Sequence, residues 1–208
     1  MCLILRKPPN CRVPWTIIND AWVHQHDGWG IIIRLPDNSR LIVKGYEFSI
    51  LRDLLAKHED KDILLHLRFA THGSINNDNT HPFDIFGDGQ YWLMHNGILQ
   101  EFTNGPAGKS DTANFCEFLK HKFGSSEAFQ SRFQETPEEC CPLQVLGDTN
   151  LIVVATPTEF RFFGDWCYIR GNRDVSQDQN TWLKLSNIKF LAVIPTETKN
   201  IFVEQANN

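Results

Sequence analysis

The chain has 208 residues, enough for one large domain or two small ones with a buried core. Apolar residues make up 41% and charged residues 22%, the balance of an ordinary globular protein. The formal net charge of −5 argues against nucleic acid as the main partner, and no apolar run is long enough to span a bilayer.

Residues 2–7 read as a short strand. They lack the basic-then-apolar order of a signal peptide, so the expected location is cytoplasmic. Trp29 to Leu35 and Leu41 to Lys44 are β-rich runs around the turn cluster Pro36-Asp37-Asn38-Ser39, which predicts a hairpin. Ile50, Leu51, Leu54 and Leu55 recur at helical spacing between Phe48 and His58. Strands are expected at 63–69 and 91–94. Ser110-Asp111 stands as a cap before a helix carrying Phe115, Leu119 and Phe123. A second helix over 127–133 interrupts an otherwise polar excursion, 124–142. Strands follow at 151–155, 160–163 and 190–194. Neighbouring strands with short connections, set beside helices, predict antiparallel sheets with a helical layer rather than βαβ alternation. The whole chain, 1–208, is expected to form one domain. Its six cysteines (2, 11, 116, 140, 141 and 167) show no CxxC pair, and five read as free thiols. Cys140-Cys141 has no functional account.

Cys2 is set apart by its position. Removal of Met1 would leave a thiol and a free α-amine on one residue. Their ordinary pKa values, about 8 for the amine and about 8.5 for the thiol, let one serve as nucleophile and the other as its base. An ordinary strand cysteine is the plain alternative.

Four further segments carry chemistry. His26-Asp27-Gly28-Trp29-Gly30 reads as scaffold, a tight entry into a strand. Arg68-Phe69-Ala70-Thr71-His72-Gly73 puts a guanidinium fork, a hydroxyl and an imidazole at the end of a strand. Such a fork matches a carboxylate. Asn79-Thr80-His81-Pro82-Phe83 continues it as a stiff loop. His95-Asn96-Gly97 offers a side-chain amide and an unhindered N–H, the donors of an oxyanion hole or merely an Asn-Gly turn. Ser110-Asp111-Thr112 offers a helix cap or a carboxylate for a substrate ammonium.

Together with Cys2, and in this order, these segments resemble the class II glutamine amidotransferase domain, and within it the small stand-alone bacterial members. The resemblance covers residues 2–112 strongly. Beyond that only strand rhythm and Phe163-Gly164-Asp165-Trp166 carry it. It implies an α+β fold of N-terminal-nucleophile hydrolase type, a four-layer αββα sandwich of two antiparallel sheets. It also implies roles. Cys2 forms a glutamyl thioester, and its α-amine acts as base and then as acid. Asn96 and Gly97 hold the oxyanion. Arg68 clamps the substrate α-carboxylate and Asp111 its α-ammonium. Thr71 and His72 line the pocket, with His81 beside it. Phe69 stands where the family often has Trp, and Leu3 where the large amidotransferases often have Gly. Residues 143–208 are expected to complete the same domain rather than form an acceptor module.

The implied activity is glutamine hydrolysis, with ammonia passing to a separate synthase. Hydrolysis of other γ-glutamyl amides or peptides is a second enzymatic reading. A decayed domain that binds an amide or a partner protein is a third. No cofactor is called for. His24-Gln25-His26 could place two imidazoles on one face of a strand, but no further zinc ligand stands at suitable spacing, so no metal is expected.

Overall fold

The computed structural model describes residues 2–9, 11, 13–137, 150–169, 183–186 and 203–205. Strands β1 (Leu3–Lys7), β2 (Trp29–Arg34), β3 (Arg40–Gly45), β4 (Asp62–Leu67), β9 (Cys167–Ile169), β10 (Leu183–Leu185) and β11 (Val203–Gln205) form one sheet in the order β11-β9-β10-β1-β4-β2-β3. Strands β5 (Phe83–Asp84), β6 (Trp92–Asn96), β7 (Leu151–Ala155) and β8 (Phe160–Phe163) form the second, in chain order. Every pairing is antiparallel.

Alternation along the strands sorts the side chains into layers. Leu3, Leu5, Ile31, Ile33, Ile63, Leu65 and Leu67 face helices α1 (Trp15–His24) and α2 (Phe48–Lys57), meeting Ile17, Ile18, Ala21, Leu51 and Leu55. On the second sheet Leu93, Ile152 and Val154 face α3 (Asp111–Phe123) and α4 (Ser126–Glu135), meeting Phe115, Leu119, Phe129 and Phe133. The alternate residues Ile4, Ile32 and Leu64 meet Met94, Leu151, Val153 and Ala155 between the sheets. The result is helices, sheet, sheet, helices: the expected αββα sandwich of an α+β fold. A fully buried Leu or Ile contributes about 1.5–3 kcal/mol, so the three layers supply most of the driving force.

The hairpin between β2 and β3 turns at the expected residues. Asp37 accepts from the Ser39 N–H at 3.0 Å and Asn38 has φ 63°. Helix α1 is not signalled by the sequence. Pro14 precedes it without a side-chain cap, and Thr16-Ile17-Ile18 are β-branched residues that favour strands. Burial of Ile17, Ile18 and Ala21 against the sheet holds it. His24 therefore ends a helix and does not stand on a strand with His26. The polar excursion is in part α4, closed onto the core by Phe129 and Phe133 and separated from α3 by Gly124 at φ 75°. Strand β6 runs past Met94 to Asn96. The expected strand 190–194 and Cys140-Cys141 lie outside the described residues. Among the described residues no helix is long and apolar enough to cross a membrane.

Candidate active site

Parity places the thiol. Cys2 immediately precedes β1 at the parity of the inward Ile4, and Asn96 ends β6 at the parity of the inward Met94, so alternation directs both toward the space between the sheets at one end of the sandwich. The Phe69 N–H donates to Cys2 Sγ at 3.3 Å, and Sγ lies 3.5 Å from the Phe69 carbonyl. Burial pushes the thiol pKa up, against the Phe69 N–H bond and the Arg68 charge, with Asp111 adding to the rise.

Arg68 leaves the end of β4 and is 3% exposed. Its guanidinium donates to the carbonyls of Ser74 at 3.0 Å and His72 at 3.1 Å, which hang the loop after it. Its other side-chain N–H groups bond no described residue. The strand entry that the sequence marked as scaffold holds this corner. Gly28 O accepts from the Arg68 N–H, Asp27 N–H donates to Arg68 O, and the Asp27 carboxylate accepts from Ala70 N–H at 2.8 Å. Gly30 is there for close approach: a Cβ would lie 1.7 Å from the His81 carbonyl oxygen.

Asp111 is the first residue of α3, and the cap is Ser110, whose hydroxyl accepts from Ala113 N–H at 3.1 Å. The cap reading of this pair thus belongs to Ser110 alone. The Asp111 carboxylate, 6% exposed, accepts from Leu99 N–H at 2.7 Å and Thr112 N–H at 2.8 Å. Among the described residues neither Arg68 nor Asp111 forms an ion pair, with the other or with any third residue.

Asn96 ends β6 and Gly97 leads into a loop at φ 145°, not a two-residue hairpin. A Cβ on Gly97 would lie 2.1 Å from Asn150 Oδ1 and 2.9 Å from His95 Nε2. Behind the glycine the His95 ring bridges Asn150 Oδ1 at 2.8 Å and Thr112 Oγ1 at 3.0 Å, tying β6 to α3. The Asn96 amide reaches Ser186, just past β10.

One narrow cleft is lined by Cys2, Arg68, Thr71, His72, His81 and Asp111, with Gly97 and His95 at its back. Asn96 stands beside this lining rather than in it. Thr71 is exposed, with its hydroxyl 3.4 Å from His72 Nδ1. His81 is buried, stacked on His66 at 3.9 Å between ring centroids, and neither ring nitrogen has a hydrogen-bond partner among the described residues. Burial holds the pKa of His81, His66 and His95 below the ordinary value, His66 at about 3. No group of three His, Cys, Asp or Glu among the described residues converges on a metal position. Sequence reasoning passed over Asn150, His66 and Ser186, which sit singly among unremarkable neighbours. Asn79 was read only as loop, yet its side chain accepts from Ser110 N–H and donates to Ser74 O and Gly108 O.

Residues 15–143 match the family model of class-II glutamine amidotransferases. A protein of Haemophilus influenzae named as a glutamine amidotransferase is 29% identical over 142 residues, 61% of this chain and 48% of its own length. Glutamine–fructose-6-phosphate aminotransferase of Thermus thermophilus is 32% identical over 79 residues, 37% of this chain and 13% of its own length. The chain therefore spans about half, or far less, of these relatives. Among solved structures, glutamine phosphoribosylpyrophosphate amidotransferase of B. subtilis aligns with a TM-score of 0.55 at 16% identity, over 99% of this chain and 49% of that one. An allosteric regulatory enzyme of purine biosynthesis aligns at 0.59 and 16% identity, over 99% and 44%. These two likenesses concern the fold.

Proposed function

The chain belongs to the class-II glutamine amidotransferase family, and we propose that its cleft hydrolyses the side-chain amide of glutamine through a thioester on Cys2. The observation that carries this is the charge arrangement. A buried guanidinium and a buried carboxylate line one cleft with a thiol, and neither charge is neutralised by a described residue. Buried charge without a partner is costly. A free amino acid with a neutral amide tail supplies the missing anion and cation together, and its tail extends to the thiol.

In this mechanism Met1 is removed and the exposed α-amine of Cys2 takes the thiol proton. A base is needed because burial raises the thiol pKa and so disfavours the thiolate. The sulfur attacks the amide carbon, and the carbonyl oxygen takes the charge. The Asn96 amide and the Gly97 N–H stabilise that oxyanion. The C–N bond breaks, the amine returns the proton, and ammonia leaves a glutamyl thioester. Water then attacks the thioester, giving glutamate and the free thiol. Arg68 holds the α-carboxylate and Asp111 the α-ammonium, while Thr71, His72 and His81 form the wall of the pocket. Residues 1–208 act as one domain, and the ammonia released passes to an acceptor site.

The test is intact mass spectrometry before and after treatment with 6-diazo-5-oxo-norleucine, an electrophilic glutamine analogue. Loss of Met1 and a single adduct on Cys2 are expected, and Cys2→Ala should take no adduct and lose glutamine hydrolysis while keeping its circular dichroism. Hydrolysis at the original rate in Cys2→Ala would sink the mechanism.

A further inference from the structure

We propose that Ser186 is a positioning residue that turns the Asn96 amide toward the reacting carbonyl oxygen, a role that rests on the thioester reading above. Ser186 follows β10, the neighbour of β1, and the two chains exchange bonds there. Its N–H donates to Ile4 O at 3.0 Å, and its hydroxyl oxygen accepts from Ile4 N–H at 2.7 Å. Ile4 lies two residues beyond Cys2, so the hydroxyl is tied to the strand that carries the nucleophile. From the opposite sheet, Asn96 Nδ2 lies 3.0 Å from the same oxygen and 3.4 Å from the Ser186 carbonyl. One hydroxyl thus bridges the thiol strand and the amide.

The amide in this orientation is poorly served. Asn96 is 4% exposed and its Oδ1 has no hydrogen-bond partner among the described residues. The hydroxyl accepts from Ile4 and keeps its own proton to give. With the amide turned half a revolution about Cγ, Oδ1 occupies the 3.0 Å position and accepts that proton. The long contact to the Ser186 carbonyl is given up. The amide N–H2 then occupies the place of the unpartnered oxygen, a buried donor with no acceptor among the described residues. That is what an oxyanion requires, and the two orientations differ only by exchange of N and O. The hydroxyl proton of Ser186 therefore selects the orientation that serves the reaction. Alanine at this position leaves the Ser186–Ile4 main-chain bond in place and removes the selection.

The experiment is steady-state glutamine hydrolysis by the wild type, Ser186→Ala, Ser186→Thr, Asn96→Ala and the double variant Asn96→Ala/Ser186→Ala. Ser186→Ala should lose about 10- to 100-fold in kcat with KM within about twofold, less than the loss expected for removing an oxyanion donor outright. Ser186→Thr, which keeps the hydroxyl, should recover most of the rate. In the Asn96→Ala background Ser186→Ala should add nothing, because the two act as one unit. If the alanine variant does not fold, Ser186→Cys, with its weak S–H donor, should show the same loss. An unchanged kcat in Ser186→Ala or Ser186→Cys, an additive loss in the double variant, or a rise in KM alone overturns the proposal. A wild type without turnover, or Asn96→Ala at full rate, overturns the thioester reading and this proposal with it.

Discussion

Arg68 and Asp111 show how a few side chains define what the cleft can hold. Each is buried and hydrogen-bonded to backbone, so the geometry is set before any ligand enters. Neither charge meets a counter-charge from a described residue, and the pair asks for a zwitterion. Asp111→Asn keeps the shape and an acceptor oxygen but loses the charge. We expect KM for glutamine to rise roughly 10- to 100-fold, the worth of a hydrogen bond to a charged group, with kcat changed by less than about threefold. Steady-state kinetics checks this, and an unchanged KM would remove Asp111 from the ammonium clamp. The sequence showed Asp111 as one of two adjacent capping residues. Only the backbone geometry assigns the cap to Ser110, which frees the aspartate to reach Leu99.

At the scale of elements, α3 is where folding and chemistry share residues. Ser110 satisfies the Ala113 N–H that a helix start leaves open, and its own N–H is held by Asn79. Ser110→Ala should lower unfolding free energy by about 1 kcal/mol in urea denaturation, with the helix retained. This helix was legible because cap, periodic Phe115, Leu119 and Phe123, and the terminating Gly124 agree. The helix at 15–24 was not legible, because its local signals disagree: no capping side chain and a β-branched start. A sheet face supplies what the local chain does not, and such tertiary support is absent from any sequence window. The stretch after Gly124 was legible in part, since the helix expected over 127–133 is α4. Its polar residues outnumber its apolar ones, yet Phe129 and Phe133 fall on one helical face and are enough to bury it.

The whole molecule depends on two sheets meeting, and three imidazoles are buried at the end where the cleft opens. His66, His81 and His95 all have folded-state pKa values lowered by burial, His66 from 6.5 to about 3. The unfolded chain binds protons below pH 6.5 that the folded chain refuses. Their contribution to stability is therefore complete above that pH and falls as pH drops below 6.5, for His66 down to about 3. One proton is worth about 1.4 kcal/mol per pH unit, the slope His66 alone contributes, and His81 and His95 act in the same direction. Urea midpoints measured from pH 8 to pH 4 should be level above neutrality and then fall steeply. His66→Phe should reduce the slope by about one proton.

Residue type and spacing were sufficient for the strands β1 to β4 and β6 to β8, for the helices α2, α3 and α4, and for antiparallel sheets set beside helices. These are properties of local period and of chemistry concentrated at strand ends. Tertiary structure decided the rest. It made a helix of 15–24 by burying one face, and among the described residues it left Arg68 and Asp111 without counter-charges. It brought Ser186, distant in the chain, between the strand of the thiol and Asn96. Contacts of that kind depend on which strands are neighbours, and strand order arises from the packing of the two sheets, which no local pattern encodes.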